Sequence, residues 1–158
     1  MTGGPRVPAI DARGLDGRAW SVPADLEGER NLVAFAFHRH QQADVDTWIP
    51  DLEAAAASDP AVRAYEIPTI SRRWAPARRF IDGGMVAGIP DPAARARTLT
   101  AYTEVGRVTR ALGLAGTDDI AIVLCDRSGA VAWMAEGPRN GAAAEALAAA
   151  LALPLARD

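Results

Sequence analysis

Residues Ile120–Pro138 read IAIVLCDRSGAVAWMAEGP. Ile120–Cys125 is apolar at every position, so a strand here must be buried on both faces; a half-buried strand would alternate. Asp126-Arg127-Ser128-Gly129 has the composition of a tight turn, and Ala130–Ala135 (AVAWMA) resumes the apolar run. Two strands joined this closely form an antiparallel hairpin. An Ala/Leu-rich segment, about Gly141–Leu153, reads as a closing helix.

Upstream, Asn31–His38 (NLVAFAFH) is a second continuous apolar run and reads as a central strand. The period then changes. Val45, Trp48, Ile49 and Leu52 fall at i, i+3, i+4 and i+7, one stripe of an amphipathic helix. Asp44 and Asp46 sit in its first turn, where acids complement the helix dipole. Pro50 lies inside this helix and is expected to kink it. The helix is expected to fade over Ala54–Ser58, with Asp59-Pro60 as a stop. Ala61–Ile67 alternates in character and reads as a second core strand, parallel to the first because a helix intervenes. The long connection from Pro68 to Asp118 holds an Arg-rich helical stretch around Arg72–Ile81, a Gly/Pro-rich break over Gly83–Pro92, and a helix at about Val105–Leu112. Near the N-terminus, Asp16-Gly17 marks the turn of a short β-hairpin.

A chain of 158 residues, 49% hydrophobic and 23% charged, suits one domain with its core over about residues 7–153 and an insertion over about 68–118. No apolar run reaches the roughly 18 residues that a membrane span requires. No basic segment followed by an apolar one opens the chain, so the expected location is the cytoplasm. The single cysteine, Cys125, excludes an internal disulfide framework and a multi-cysteine metal site. All seventeen basic residues are Arg, a bias that GC-rich coding also produces together with abundant Ala and Gly. A net charge of −3 argues against nucleic-acid binding.

The order strand, helix, strand, long connection, helix, hairpin, helix resembles the thioredoxin-like superfamily in its redoxin form. LDGRAWSVPADLEGERNLVAFAF (residues 15–37) resembles the lead-in of redoxin-type proteins, and residues 120–138 resemble their third and fourth core strands. The resemblance implies an α/β, three-layer fold: a central mixed sheet flanked by helices, with an N-terminal hairpin and a long helical insertion between strands two and three. It also places the redox site. In that family the first cysteine of the CxxC motif lies eight residues before the helix proline, which here is Gln42, with Val45 at the second position. Neither is a thiol, and the peroxidatic cysteine of peroxiredoxins is missing as well. The family's substrate-clamping cis-proline corresponds to Ile120 or Ala121, and no proline occurs between Thr117 and Gly137. Dithiol exchange requires a thiolate, and no other side chain substitutes for it. Cys125 lies at the far end of its strand, roughly 16 Å from the clamp position at ~3.3 Å per residue, and reads as a small core residue. The C-terminal third, about Ile120–Leu147, is also similar to the mitochondrial ATP-synthase assembly factor family, whose members are thioredoxin-like, non-redox assembly chaperones.

Candidate ligand or partner residues are His38, Arg39, His40, Gln41 and Gln42, which leave the C-terminal end of the first core strand, together with Arg72, Arg73, Arg78 and Arg79, which follow the second. Open parallel sheets place ligand sites at that pole. Gathered near the N-terminus of the first helix, these groups would suit a carboxylate, a phosphate or an acidic protein segment. Alternatively the arginines form a solvated helix face, or pair with Glu66, Asp44, Asp46 and Asp82. His38 and His40 would share one face of a strand, but two histidines and a carboxylate make an incomplete zinc set, so no metal is expected. No cofactor is implied. The expected role is therefore binding without redox chemistry, as a chaperone-like or adaptor module whose partner is a protein or a small anion. The alternatives are a redoxin using Cys125 with an external thiol, and an enzyme or sensor acting on an anionic ligand at the Arg/His pole.

Overall fold

The computed structural model describes residues 4–77, 81, 83, 84, 89 and 91–153. Seven strands form one sheet: β1 (Ile10–Gly14), β2 (Ala19–Val22), β3 (Arg30–Ala36), β4 (Val62–Ser71), β5 (Leu99–Thr103), β6 (Ala121–Cys125) and β7 (Val131–Glu136). Their spatial order is β2-β1-β5-β4-β3-β6-β7. β3 runs parallel to β4 and β4 parallel to β5, whereas the β1–β2, β1–β5, β3–β6 and β6–β7 pairs are antiparallel. The C-terminal ends of β3, β4 and β5 therefore share one pole of the sheet with the N-terminal end of β6.

The α-helices whose bounds are described are α1 (Gln42–Ser58), α2 (Pro92–Arg97), α3 (Val105–Leu112) and α4 (Gly141–Ala152). α1 and α4 cover one face of the sheet. Val45, Trp48, Leu52 and Leu147 pack there with Leu32, Ala34, Ile122 and Leu124. On the other face, Val108 and Leu112 of α3 join Val7, Leu26, Val33, Phe35 and Ile67. Arg30 ties the edge of this arrangement to the end of α4, donating from Nη1 to Leu153 O (2.8 Å) and from Nη2 to Leu151 O (3.2 Å).

The hairpin, the central β3, the β6–β7 turn, α3 and the closing helix lie where the residue pattern puts them. Three features extend that pattern. α1 continues through Ala54–Ser58, because a run of Ala is the strongest helix-forming sequence available. β4 does not stop at Ile67. Pro68 faces Ala36 at the last rung of the β3–β4 ladder, where a missing N–H costs little; beyond it, Thr69, Ile70 and Ser71 pair with Ala101, Tyr102 and Thr103. The connection 68–118 thus contributes the strand β5 and the short helix α2 as well as α3, with Asp91 capping α2 by accepting from Ala93 N (3.1 Å). The Arg-rich stretch begins as a 3-10 helix over Arg72–Ala77. Arg78, Arg79 and most of the Gly/Pro-rich break lie outside the described residues.

Candidate functional site

β3 ends at Ala36, and the chain turns through a 3-10 helix, Arg39–Gln41, into α1. His38 holds an extended backbone (φ −139°, ψ 146°) just ahead of that turn. Gln41 makes the turn possible. Its side chain is 1% exposed. Oε1 accepts from Phe37 N (2.8 Å) and His38 N (3.0 Å), and Nε2 donates to Thr117 O (2.7 Å). The amide so fills three of its four hydrogen-bonding positions and fastens the exit of β3 to the segment that leads into β6. Thr117 is engaged twice, since its Oγ1 hydrogen-bonds with His38 Nε2 at 2.8 Å.

The two histidines do not share a strand face. They lie beyond the end of β3, with their rings stacked at 5.4 Å between centroids and 10° between planes. His38, Arg39 and His40 are all exposed. Among the described residues no group of three or more His, Cys, Asp or Glu side chains is arranged to hold a metal ion.

At the two positions where a CxxC would stand, Gln42 is exposed and donates from Nε2 to Asp46 Oδ1 (2.9 Å), while Val45 is buried at 2% exposure beside Trp48. Cys125 pairs with Asn31 at the start of β3, whereas Ala121, at the other end of β6, pairs with Phe35. The thiol therefore sits at the opposite pole. Burial, reinforced by the neighbouring Asp126 charge, pushes its pKa up to about 12.

The arginines divide. Arg72 reaches a cleft of about 340 Å³ at the β1–β2–β5 side of the pole, shared with Arg107, Asp11 and Glu104. Arg73 lies over the ring of Trp74, 5.5 Å from its centroid. Among the described residues, no hydrogen bond or ion pair joins either arginine to the His38–Gln42 segment or to Glu66, Asp44 or Asp46. Glu66 is taken instead by Arg97 (Nε–Oε2 2.9 Å). Asp82 lies outside the described residues.

The residue pattern did not single out Thr117, Arg107 or the contacts that clamp α1 from behind. Trp48 Nε1 donates to Gly137 O (3.0 Å), Thr47 Oγ1 accepts from Arg139 N (2.9 Å), and Arg139 Nε donates to Asp51 (2.6 Å). These join residues about ninety positions apart, so only the register of β6 and β7 could have suggested them.

No protein-family model matches the chain, and comparison with curated proteins finds no match. Solved structures do match. The pneumococcal exposed lipoprotein thioredoxin Etrx1 from Streptococcus pneumoniae superposes with a TM-score of 0.59 at 13% identity, over 91% of this chain and 98% of that one. BsSco, a member of the Sco family of cytochrome c oxidase assembly proteins, gives 0.59 at 13% identity over 96% of each chain. A secreted Mycobacterium tuberculosis disulfide oxidoreductase homologous to E. coli DsbE gives 0.54 at 17% identity, over 91% of this chain and 95% of that one.

The chain has a thioredoxin-like fold.

At these identities the likeness reaches the fold and goes no further. Within a thioredoxin-like frame, the start of α1 and the segment before β6 are the places where the redoxin resemblance puts the CxxC and the cis-proline. Gln41 and Thr117 lie just ahead of those positions (Gln42–Val45, and Ile120 or Ala121) and bond to each other.

Proposed function

We propose that this is a redox-inactive thioredoxin-like protein that works by binding, as a chaperone-like or adaptor module, through the pole where a CxxC would stand. One observation carries this reading. The junction of α1 with the β6 lead-in is closed by a hydrogen-bonded glutamine, and the chain's one thiol is buried at the opposite pole. With a pKa of about 12, Cys125 would be ionised in roughly one molecule in 10⁵ at pH 7, far too little for thiol exchange. The exposed His38, Arg39 and His40 next to that junction offer hydrogen-bond donors and positive charge, which suit an acidic segment of a protein partner. The resemblance read in the sequence of residues 120–147 to non-redox assembly chaperones would suit such a role without naming a partner.

Insulin tests both halves of the proposal. Dithiothreitol reduces insulin and its B chain then aggregates, so a dithiol catalyst accelerates the turbidity whereas a chaperone-like binder delays it. The expected result is delay, diminished in a His38→Ala/Arg39→Ala/His40→Ala variant and unchanged in Cys125→Ser. Acceleration that disappears in Cys125→Ser would overturn the redox-inactive reading. Native protein should also leave 5,5′-dithiobis(2-nitrobenzoate) untouched, with one thiol appearing in denaturant.

A further inference from the structure

We infer that the cleft at the β1–β2–β5 side of the pole is a binding site for a zwitterion of amino-acid size, with its carboxylate on Arg72 and Arg107 and its ammonium on Asp11. This goes beyond the binding role proposed for the His38–Gln42 segment. The cleft borders β1, β2 and β5, and β4 separates those strands from β3 in the sheet.

The cleft brings together charges of both signs that are not paired with one another. Arg97, Arg110 and Arg139 each face a carboxylate, as does Arg30 at 3.7 Å from Asp59. In the cleft, two guanidinium groups and two carboxylates line one space of about 340 Å³, yet none of the four is ion-paired with another. Arg107 donates to Ala9 O and keeps further N–H groups free to donate. Among the described residues Arg72 has no hydrogen-bond or ion-pair partner, and neither has Asp11. Glu104 is turned toward Arg110, 3.8 Å away. A ligand able to engage all the unpaired groups must carry both signs.

The charge balance decides between ligand classes. With Glu104 held by Arg110, the cleft presents two guanidinium groups and one unpaired carboxylate, so a dianion such as phosphate meets repulsion from Asp11 along with attraction from the arginines. A zwitterion satisfies both sets, because a guanidinium fork matches a carboxylate and a carboxylate accepts from an ammonium. A volume of about 340 Å³ lies at the small end of ligand sites and fits one amino acid with room for water.

The test is a melting-temperature screen of the full chain with each of the twenty amino acids at millimolar concentration. Calorimetric titration follows for the best of them, its deaminated and decarboxylated analogues, and inorganic phosphate. The expected result is that at least one amino acid binds and that each analogue binds about tenfold or more weakly, as loss of a charge-assisted contact implies. Arg72→Ala and Asp11→Ala should each reduce affinity by a similar factor. Both residues are exposed, so neither substitution should move the melting temperature of the unliganded protein. His38→Ala/Arg39→Ala/His40→Ala should bind the amino acid normally, which separates this site from the proposed partner surface. The inference is overturned if no amino acid binds in the millimolar range, if the carboxylate or the amine alone binds as well as the zwitterion, if phosphate binds best, or if Arg72→Ala and Asp11→Ala leave affinity unchanged.

Discussion

Replacing Gln41 by Met keeps nearly the same volume and removes every hydrogen bond the side chain makes. The amide N–H groups of Phe37 and His38 lose their acceptor, and the carbonyl of Thr117 loses its donor. Each bond is worth about 1 kcal/mol net, and a buried group left unpaired costs 1–3 kcal/mol. The Gln41 side chain is almost wholly buried, so water replaces these contacts poorly, and the expected loss is about 3 kcal/mol. In a domain of this size that lowers the melting temperature by roughly 6–12 °C. Urea unfolding followed by circular dichroism should show a lower midpoint with an unchanged slope, since the surface exposed on unfolding stays the same. Amide exchange at Phe37 and His38 should quicken in step. Gln42→Ala is the control: that side chain is exposed, its one bond goes to Asp46, and its loss should cost at most about 0.5 kcal/mol. A loss below about 1 kcal/mol for Gln41→Met, or equal losses for the two variants, would refute the reasoning.

Three further outcomes are expected. Burial alone would raise the Asp126 carboxyl, but the Ser128 hydroxyl and the N–H groups of Ala130, Ser128 and Gly129 outweigh it and hold the group below its usual range; its stabilisation is then present above the unfolded carboxylate pKa and lost as pH falls through the folded one. Urea midpoints of wild type and Asp126→Ala should therefore differ by a constant amount between about pH 7 and pH 5 and converge in acid. Arg97→Met leaves Glu66, whose side chain is 12% exposed, without its cation, and should cost about 2–4 kcal/mol in the same assay, whereas Arg110→Met, at an exposed pair, should cost less than about 1 kcal/mol. Gly129→Ala forces a side chain into φ +92°, with its Cβ against the carbonyl oxygen of Val7, and should lower the melting temperature by several degrees or more.

The parts of the fold that could be read from sequence are those in which a single physical signal dominates. Leu32–Phe35 and Ala121–Cys125 are buried on both faces and uniformly apolar, so burial and hydrophobicity agree. α3 ends at Gly113, which takes the left-handed conformation (φ 75°) expected of a helix stop. β5 gives no such signal. Thr98, Thr100 and Thr103 are buried at and around it, and a polar hydroxyl reads as loop even where a β-branched side chain fits a strand well. Pro68 misleads in the same way, since a proline inside a strand is a sound reason to end it unless it falls on the last rung of one ladder. The candidate site divides along the same line. Sequence order alone brings His38–Gln42 to the start of α1, but it gives all five residues equal standing. Burial separates Gln41, which holds the turn, from the exposed four. Arg107 and Asp11 were out of reach because their meeting with Arg72 depends on β5 pairing with both β1 and β4.

Gln41 also bears on how the proposed surface would bind. A flexible loop loses conformational freedom on binding, at a cost of about 1–2 kcal/mol per backbone residue ordered. Here the backbone at 37, 38 and 117 is already fixed through one buried amide, and the His38 ring is held to Thr117 and stacked on His40. A partner would have to order the Arg39 and Gln42 side chains and little else. Affinity in such a site comes from preorganisation more than from contact area. Gln41→Met should then weaken partner binding without touching a single exposed side chain, and it should do so at temperatures where the variant is still fully folded. If the surface instead tolerated a loosened turn, Arg39 would be acting as an independent charge, and binding would follow ionic strength alone.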